Sequence, residues 1–197
     1  MAFIQTVPDD GATGQAADLY AEHVAALGYV PNYLQLLALR PNVYGAWRQL
    51  VKSIVADMGL HRYELATFAA ARALRSTYCA TEHGKVLRDR FYDADTVRRI
   101  AMDHRSAGIE PAESAIMDFA DEVARDAASI VPEDIERLRV LDLTELEILD
   151  VALAAAARCF FSTLLHAMGV GPDAATLLAL EAPLREALAG SAGSLTC

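Results

Sequence analysis

The sequence of 197 residues predicts an all-α fold built from two pseudo-repeated helical units. Apolar residues recur at helical spacing along nearly the whole chain. Runs that alternate β-branched or aromatic residues with polar ones, as strands do, are absent. A pattern of glutamate, serine or cysteine, and histidine also occurs twice at an offset of 83 residues. A pattern repeated at this length indicates a duplicated helical unit.

Glycine and proline mark the ends of roughly ten predicted helices. Gly28 to Pro31 and Pro41-Asn42 bound a short helix, and Ser106 to Pro111 forms a loop. Pro132 is placed to open another helix, because proline fits the first helical turn. The stretch from Leu146 to Ala157 is almost wholly apolar, which predicts a helix packed on most sides.

The expected organisation is one domain over residues 1–188, with repeat cores at about 60–90 and 143–173. Residues 189–197 are rich in glycine, serine and alanine, which is typical of a flexible tail. The tail ends in Cys197, whose thiol we expect to be incidental.

Composition narrows the class of protein. A formal net charge of −10 disfavours nucleic acid as a partner. The sequence shows no secretion signal and no apolar run near the roughly 20 residues that span a bilayer, so no membrane partner and a cytoplasmic location are expected. Three cysteines, an odd number, argue against a secreted disulfide framework. Abundant alanine and leucine favour a homo-oligomer that buries apolar helix faces.

The two copies of the repeated pattern share a spacing of Glu-x11-(Ser/Cys)-x2-(Cys/Ser)-x3-His. Alanines and one arginine also match between them, so the repeat extends beyond four coincident positions. The copies are Glu64, Ser76, Cys79 and His83, then Glu147, Cys159, Ser162 and His166, and the further matches are Ala69/Ala152, Ala71/Ala154, Ala73/Ala156 and Arg75/Arg158. Thiol, imidazole and carboxylate are the groups needed to form and use a thiolate.

In the first copy, Cys79 and His83 are four residues apart and share one face of a helix. Glu64 precedes Cys79 by 15 residues, about 22 Å on a straight helix, so it can join them only if the chain turns. We expect this turn at Arg75 to Thr77. Ser76 would cap a new helix, and Cys79 would be its third residue, where the helix end lowers a thiol pKa.

A structural interpretation of the same residues remains open. Ser76 would then act only as a cap, Cys79 would be an inert core residue, and His83 would be a partly exposed helix histidine.

The second copy has ready structural explanations. Glu147 fits the capping box after Thr144. Cys159 precedes two phenylalanines, and apolar surroundings raise a thiol pKa. His166 is seven residues from Cys159, about 10 Å along a helix, which is too far for contact. We therefore expect a structural role for this copy.

Other sites are weakly supported. A zinc site made from Glu64, Cys79 and His83 lacks a further cysteine or histidine at ligand spacing, so neither a metal nor a cofactor is predicted. Serine hydrolase, phosphate-loop and dinucleotide-binding signatures are missing. The single tryptophan, Trp47, is explained most simply by core packing.

With these motifs the sequence resembles the alkylhydroperoxidase (AhpD)-like, carboxymuconolactone decarboxylase superfamily, in particular its peroxidase-related branch. The resemblance covers most of the chain and implies an all-helical fold with duplicated units, assembled as trimers or dimers of trimers. The segments that carry it are Val30-Pro31-Asn32, Leu60 to Leu65, Tyr78 to His83, Ile148 to Val151 and Met168-Gly169-Val170.

The resemblance also implies roles for the first copy. Cys79 would attack a hydroperoxide, and His83 and Glu64 would relay the proton. Ser76 stands at the resolving position, which is a cysteine in the redox-active members. A serine cannot form a disulfide, so oxidised Cys79 would need an external thiol, a redox protein or another cysteine such as Cys159 or Cys197 for recycling.

Three functions follow from this interpretation. The first, which we take as the prediction, is a hydroperoxide-reducing enzyme with a single reactive cysteine and an external reductant. The second is a lyase like the decarboxylases of the superfamily, in which Glu64 and His83 would shuttle protons and Cys79 would be dispensable. The third is a catalytically degenerate, oligomeric helical protein.

Overall fold

A computed structural model describes residues 2–190, which form eleven α-helices and three short 3-10 turns, with no strand in this range. The all-α prediction is therefore confirmed. The helices are α1 (Gln15–Leu27), α2 (Asn32–Leu37), α3 (Pro41–Met58), α4 (Leu60–Ala73), α5 (Thr77–Arg90), α6 (Ala94–Asp103), α7 (Pro111–Asp126), α8 (Pro132–Arg139), α9 (Glu145–Ala167), α10 (Ala174–Ala179) and α11 (Ala182–Ala189).

Helix α4 lies at the centre of the fold and packs against α5, α7 and α9. Alanines on several of its faces let these helices approach closely, and the larger Leu65 and Phe68 are fully buried. Because α4 is surrounded, its polar residues Glu64 and Thr67 are buried as well. Buried polar groups need partners, so these two residues have to be bonded within the fold.

The chain breaks between α4 and α5, as the sequence predicts. Arg75 adopts a left-handed conformation with φ of 55°. The amide of Ser76 donates to the carbonyl of Ala71, and the amide of Arg75 donates to the carbonyl of Arg72. This pair of bonds is the Schellman ending of a helix. Ser76 then caps α5, which reverses the chain and brings α5 back along α4.

The second copy of the pattern has a different backbone. Glu147 to His166 lie on one uninterrupted helix, α9, where the first copy spans two helices. The expectation of two equivalent helical units is therefore not met over these residues.

Helix α9 is also less enclosed than its composition predicts. Leu146, Leu149 and Leu153 are exposed. Together with Phe160 they lie along one face of the helix, while its opposite face enters the core. By length and composition α9 could cross a membrane, but half of its most apolar window is buried inside the fold, as in a core helix. The prediction of packing on most sides is thus wrong for this outer face.

The C-terminal boundary differs slightly from the prediction. Helix α11 extends to Ala189, the first residue of the predicted tail. Residues 191–197, including Cys197, lie outside the described residues.

Candidate active site

Cys79 occupies the third position of α5 and is buried, with 1% of its surface exposed. Its backbone amide donates to the hydroxyl of Ser76 at 3.4 Å, so the predicted cap is confirmed. The free amides of the first turn give this end of a helix a partial positive charge, which favours an anion. The local backbone therefore places the sulfur where a thiolate is stabilised.

Glu64 and His83 meet across the turn between α4 and α5. The Nδ1 atom of His83 lies 2.6 Å from Oε2 of Glu64, and both side chains are nearly buried. A carboxylate accepts hydrogen bonds, so Nδ1 carries the proton and the Nε2 atom keeps its lone pair. Thr67 supports this orientation, with its Oγ1 atom 3.3 Å from Nδ1. The structure thus brings together the predicted glutamate and histidine.

Burial lowers the pKa of His83, and the positive charge of Arg158 lowers it further, although the nearby Glu64 carboxylate acts in the opposite direction. The imidazole is therefore neutral at neutral pH and available as a base.

Arg158 completes this cluster, although it was not among the predicted site residues. Its Nη1 atom donates to the sulfur of Cys79 at 3.5 Å, and its Nη2 atom donates to the hydroxyl of Tyr63 at 3.3 Å. Only 4% of Arg158 is exposed. Within residues 2–190 it forms no ion pair with a carboxylate. A buried guanidinium needs an anion nearby, and Cys79 and Tyr63 are the two groups to which Arg158 donates.

Burial acts to lower the pKa of Arg158, but the attraction of Cys79 and Tyr63 outweighs it and raises that pKa overall. Burial also raises the pKa of Tyr63, so its phenol remains protonated. The site therefore combines the positive charge of Arg158, which contacts the sulfur, with a neutral phenol bonded to Arg158 and a neutral imidazole one turn after Cys79 on α5.

One sign of Arg158 is visible in the sequence, because the repeat pairs it with Arg75. The second copy was nevertheless expected to be structural throughout. Arg158 and the fully buried Ser162 both lie on the face of α9 that enters the core, and Arg158 contacts Cys79 there. The structural role of the second copy as a whole stays a prediction. Proximity to Cys79 depends on how α9 packs, which the linear spacing does not reveal.

The remaining residues of the second copy behave as predicted. Glu147 closes the capping box with Thr144 and pairs with Arg62. The hydrogen bonds from the backbone of Thr144 and from Arg62 lower the pKa of Glu147 to about 2. Burial raises the pKa of Cys159. His166 is exposed near the end of α9.

Aromatic rings border the Arg158 side of the cluster. Trp47 stacks on Phe161 with 4.3 Å between ring centroids. The guanidinium carbon of Arg158 lies 5.9 Å from the Trp47 ring and 5.5 Å from the Phe161 ring. Trp47 therefore packs as predicted, but it also faces the candidate site.

Metal ligands are not grouped in the part of the chain that the structure describes. Within residues 2–190, no three His, Cys, Asp or Glu side chains lie close enough together to hold a metal ion.

Comparison with solved structures identifies the fold. An uncharacterised peroxidase-related protein from Ralstonia eutropha JMP134, with an alkylhydroperoxidase AhpD core, superimposes with a TM-score of 0.80. The two chains are 23% identical, over 90% of this chain and 95% of the other. A peroxidase-related protein from Silicibacter sp. TM1040 gives a TM-score of 0.77 at 21% identity, over 86% and 93% of the two chains. The chain therefore has an AhpD-like fold.

The debrominase Bmp8 is also similar. A cysteine-to-alanine variant of Bmp8 in complex with 2,3,4-tribromopyrrole superimposes with a TM-score of 0.76 at 19% identity, over 95% of this chain and 98% of the other. No protein-family model and no curated protein matches the sequence.

Proposed function

We propose that this chain is a thiol-dependent peroxidase that reduces hydroperoxides through Cys79. The likeness to peroxidase-related proteins of AhpD-like fold supports an enzyme of this general kind. The choice of Cys79 rests on the chemistry around its sulfur.

The contact between Arg158 and Cys79 carries the proposal. A guanidinium 3.5 Å from a sulfur, at the start of a helix, favours the thiolate over the thiol. A structural cysteine has no need of a buried cation. A lyase that used only Glu64 and His83 would not need this cation on the sulfur either.

In the proposed reaction, His83 takes the proton of Cys79, and the thiolate attacks the terminal oxygen of the hydroperoxide. A sulfur–oxygen bond forms as the oxygen–oxygen bond breaks. Cys79 becomes a sulfenic acid, and the departing alkoxide takes the proton from His83 to leave as an alcohol. Glu64 orients the imidazole and stabilises its charged form.

Recycling of the enzyme then requires two external thiols. The first condenses with the sulfenic acid to form a mixed disulfide and water. The second thiol attacks this mixed disulfide, which releases the Cys79 thiol and forms the disulfide of the reductant. Ser76 is fully buried and binds the amide of Cys79, so we assign it a capping role. We place the enzyme in the cytoplasm, where small thiols and thiol-reducing proteins supply these electrons.

The test is to trap the sulfenic acid in the intact protein after brief exposure to tert-butyl hydroperoxide at neutral pH. Peptide mass spectrometry then compares Cys79 with Cys159, which serves as an internal control because it is the more exposed thiol. Preferential trapping at Cys79 supports the proposal. Trapping at Cys159 alone, or at both thiols at the slow rate of free cysteine, would refute it.

Similarity to Bmp8 favours a second candidate, reductive debromination of a brominated aromatic ring. Such a reaction replaces a carbon–bromine bond by carbon–hydrogen, releases bromide, and takes two electrons from two thiols, which become a disulfide. The stacked rings of Trp47 and Phe161 beside Arg158 offer a surface for a planar substrate. Release of bromide from 2,3,4-tribromopyrrole by wild type with a small thiol, but not by Cys79→Ser, would favour this function.

We also propose that the chain assembles with copies of itself, as a trimer or a dimer of trimers. The exposed apolar face of α9 supports this, since Leu146, Leu149, Leu153 and Phe160 form a continuous stripe. Light scattering after gel filtration should give a mass above that of one chain, and Leu153→Glu should lower it. A monomeric wild type would contradict the proposal.

A further inference from the structure

Three polar atoms near Arg158 have no hydrogen-bond partner among the described residues. They are Nε of Arg158, Nε1 of Trp47 and Oγ of Ser162, and each is buried. Buried polar atoms are almost always bonded, so a group of orphans needs an explanation. An indole and a guanidinium nitrogen can only donate, and a hydroxyl can donate too. Together they are suited to a ligand atom that accepts hydrogen bonds.

The residues that carry these donors are neighbours of Arg158, which contacts the reactive sulfur. Ser162 follows Arg158 by four residues, so both lie on the inner face of α9. The ring of Trp47 stacks on Phe161 and lies 5.9 Å from the guanidinium carbon. The two other guanidinium nitrogens are committed to Cys79 and Tyr63. Arg158 therefore binds the thiol through one terminal nitrogen, while its buried Nε atom has no partner among the described residues.

We propose that Arg158 Nε, Trp47 Nε1 and Ser162 Oγ form the site that receives the departing oxygen of the hydroperoxide. This inference rests on the proposed peroxidase function and assigns Trp47 and Ser162 as further catalytic residues. Trp47 lies outside the repeated motif, and Ser162 belongs to its second copy, for which a structural role was expected.

The proposed site matches the way in which negative charge moves during the reaction. The negative charge begins on the Cys79 sulfur and ends on the alkoxide oxygen as the oxygen–oxygen bond breaks. A single guanidinium that contacts both positions stabilises the charge throughout this transfer. Donors fixed in a buried site cost little reorganisation, and they act most strongly where charge develops. The proton held by His83 then converts the alkoxide to the neutral alcohol.

Two conservative variants test the role of the donors. Trp47→Phe removes the indole N–H and keeps a ring for stacking on Phe161. Ser162→Ala removes an unpartnered buried hydroxyl, so the free energy of unfolding should not fall. Thermal unfolding of both variants confirms that they are folded before rates are compared.

The rate of Cys79 oxidation is then measured with tert-butyl hydroperoxide and with peracetic acid. Reaction with tert-butyl hydroperoxide releases an alkoxide, a poor leaving group that needs hydrogen bonds for its stabilisation. Reaction with peracetic acid releases acetate, which is stable without them. We expect each variant to lose roughly tenfold or more with tert-butyl hydroperoxide, and less than about threefold with peracetic acid. Alkylation of Cys79 by iodoacetamide, which releases iodide, should proceed at the wild-type rate.

The outcomes separate the two proposals. Wild-type rates in both variants, or equal losses with both oxidants, would overturn the departing-oxygen site and assign the donors to internal water or to packing. Absence of sulfenic acid in wild type, with normal alkylation of Cys79, would overturn the peroxidase function and this site with it. A selective loss with tert-butyl hydroperoxide establishes the site.

Discussion

The two copies of the motif have the same spacing but different backbones, and this difference creates the site. In the first copy, Ser76 supplies a capping hydroxyl where α4 ends, and a new helix starts there. In the second copy the matching residue is Cys159, which follows a run of alanines, and α9 continues through it. A cap residue favours a break, and alanine favours continuation. The matched arginines show the difference: Arg75 is left-handed at the end of α4, whereas Arg158 lies within α9.

Each backbone supplies what the other lacks. The break gives Cys79 a helix start and returns His83 to Glu64. The uninterrupted α9 carries Arg158 in mid-helix, held rigidly against the sulfur. Cys159 lies in mid-helix and has no hydrogen-bonded cation within residues 2–190, and burial raises its pKa. In the proposed site, the first copy therefore supplies the thiol, imidazole and carboxylate, and the second copy supplies Arg158.

The largest difference in peroxidase activity is expected between variants of the two cysteines. Cys79→Ser should lower hydroperoxide consumption with an external thiol by roughly 10³-fold or more, because the nucleophile is lost. Cys159→Ser should leave it unchanged. Steady-state peroxide consumption in both variants measures the difference. Equal losses would show that the second copy takes part in the redox step.

The next largest difference is expected between Arg158 and Arg75, the two arginines that match in the repeat. Arg158→Met should lower the rate of Cys79 alkylation at neutral pH by roughly 10²-fold, because it removes the buried positive charge that contacts the sulfur. The exposed Arg75, its partner in the repeat, provides the control Arg75→Met. Alkylation rates of Cys79 with iodoacetamide in wild type and both variants measure the difference. An unchanged rate in Arg158→Met would remove the main support for a role of Arg158 at the sulfur.

The next prediction concerns Glu64, which should affect the reaction rate, whereas Glu147 should affect stability. Glu64→Gln should slow Cys79 oxidation by roughly tenfold, because the charged form of His83 loses its stabilising carboxylate. The same loss lowers the pKa of His83, and the reaction needs neutral His83. The acid limb of the pH–rate profile should therefore move to lower pH while the plateau falls. A reduced plateau with an unmoved acid limb would indicate a packing role for Glu64.

The sequence was sufficient to predict the parts of the fold that depend on neighbouring residues. The all-α class, the proline-marked helix starts and the turn at Ser76 all depend on local preferences of the backbone. The contact of Glu64 with His83 followed from that turn, since a reversal of the chain brings α5 back along α4.

Residues brought in by long-range packing could not be predicted in the same way. Arg158 reaches Cys79 across 79 positions of sequence, and Trp47 reaches Phe161 from α3. Both contacts depend on how α9 is rotated against α4 and α3. The same rotation leaves the Leu149 face exposed, whereas composition alone predicted enclosure.

The smallest expected effect concerns Glu147, whose role in the second copy is to cap α9. Glu147→Ala should lower the free energy of unfolding by about 1 kcal/mol, as loss of a cap does. Glu145→Ala is a matched control in the same helical turn, and it should cost less because Glu145 makes only an exposed pair with Arg139.

The effect of Glu147 should depend on pH with a defined sign. Its pKa is about 2 in the folded protein, against an ordinary value of 4.5. The stabilisation is therefore complete above 4.5 and is lost as pH falls from 4.5 to about 2. Chemical denaturation of wild type and Glu147→Ala across this range should show the two curves converging in acid. A constant difference, or a slower Cys79 oxidation in Glu147→Ala, would mean that the second glutamate does more than cap its helix.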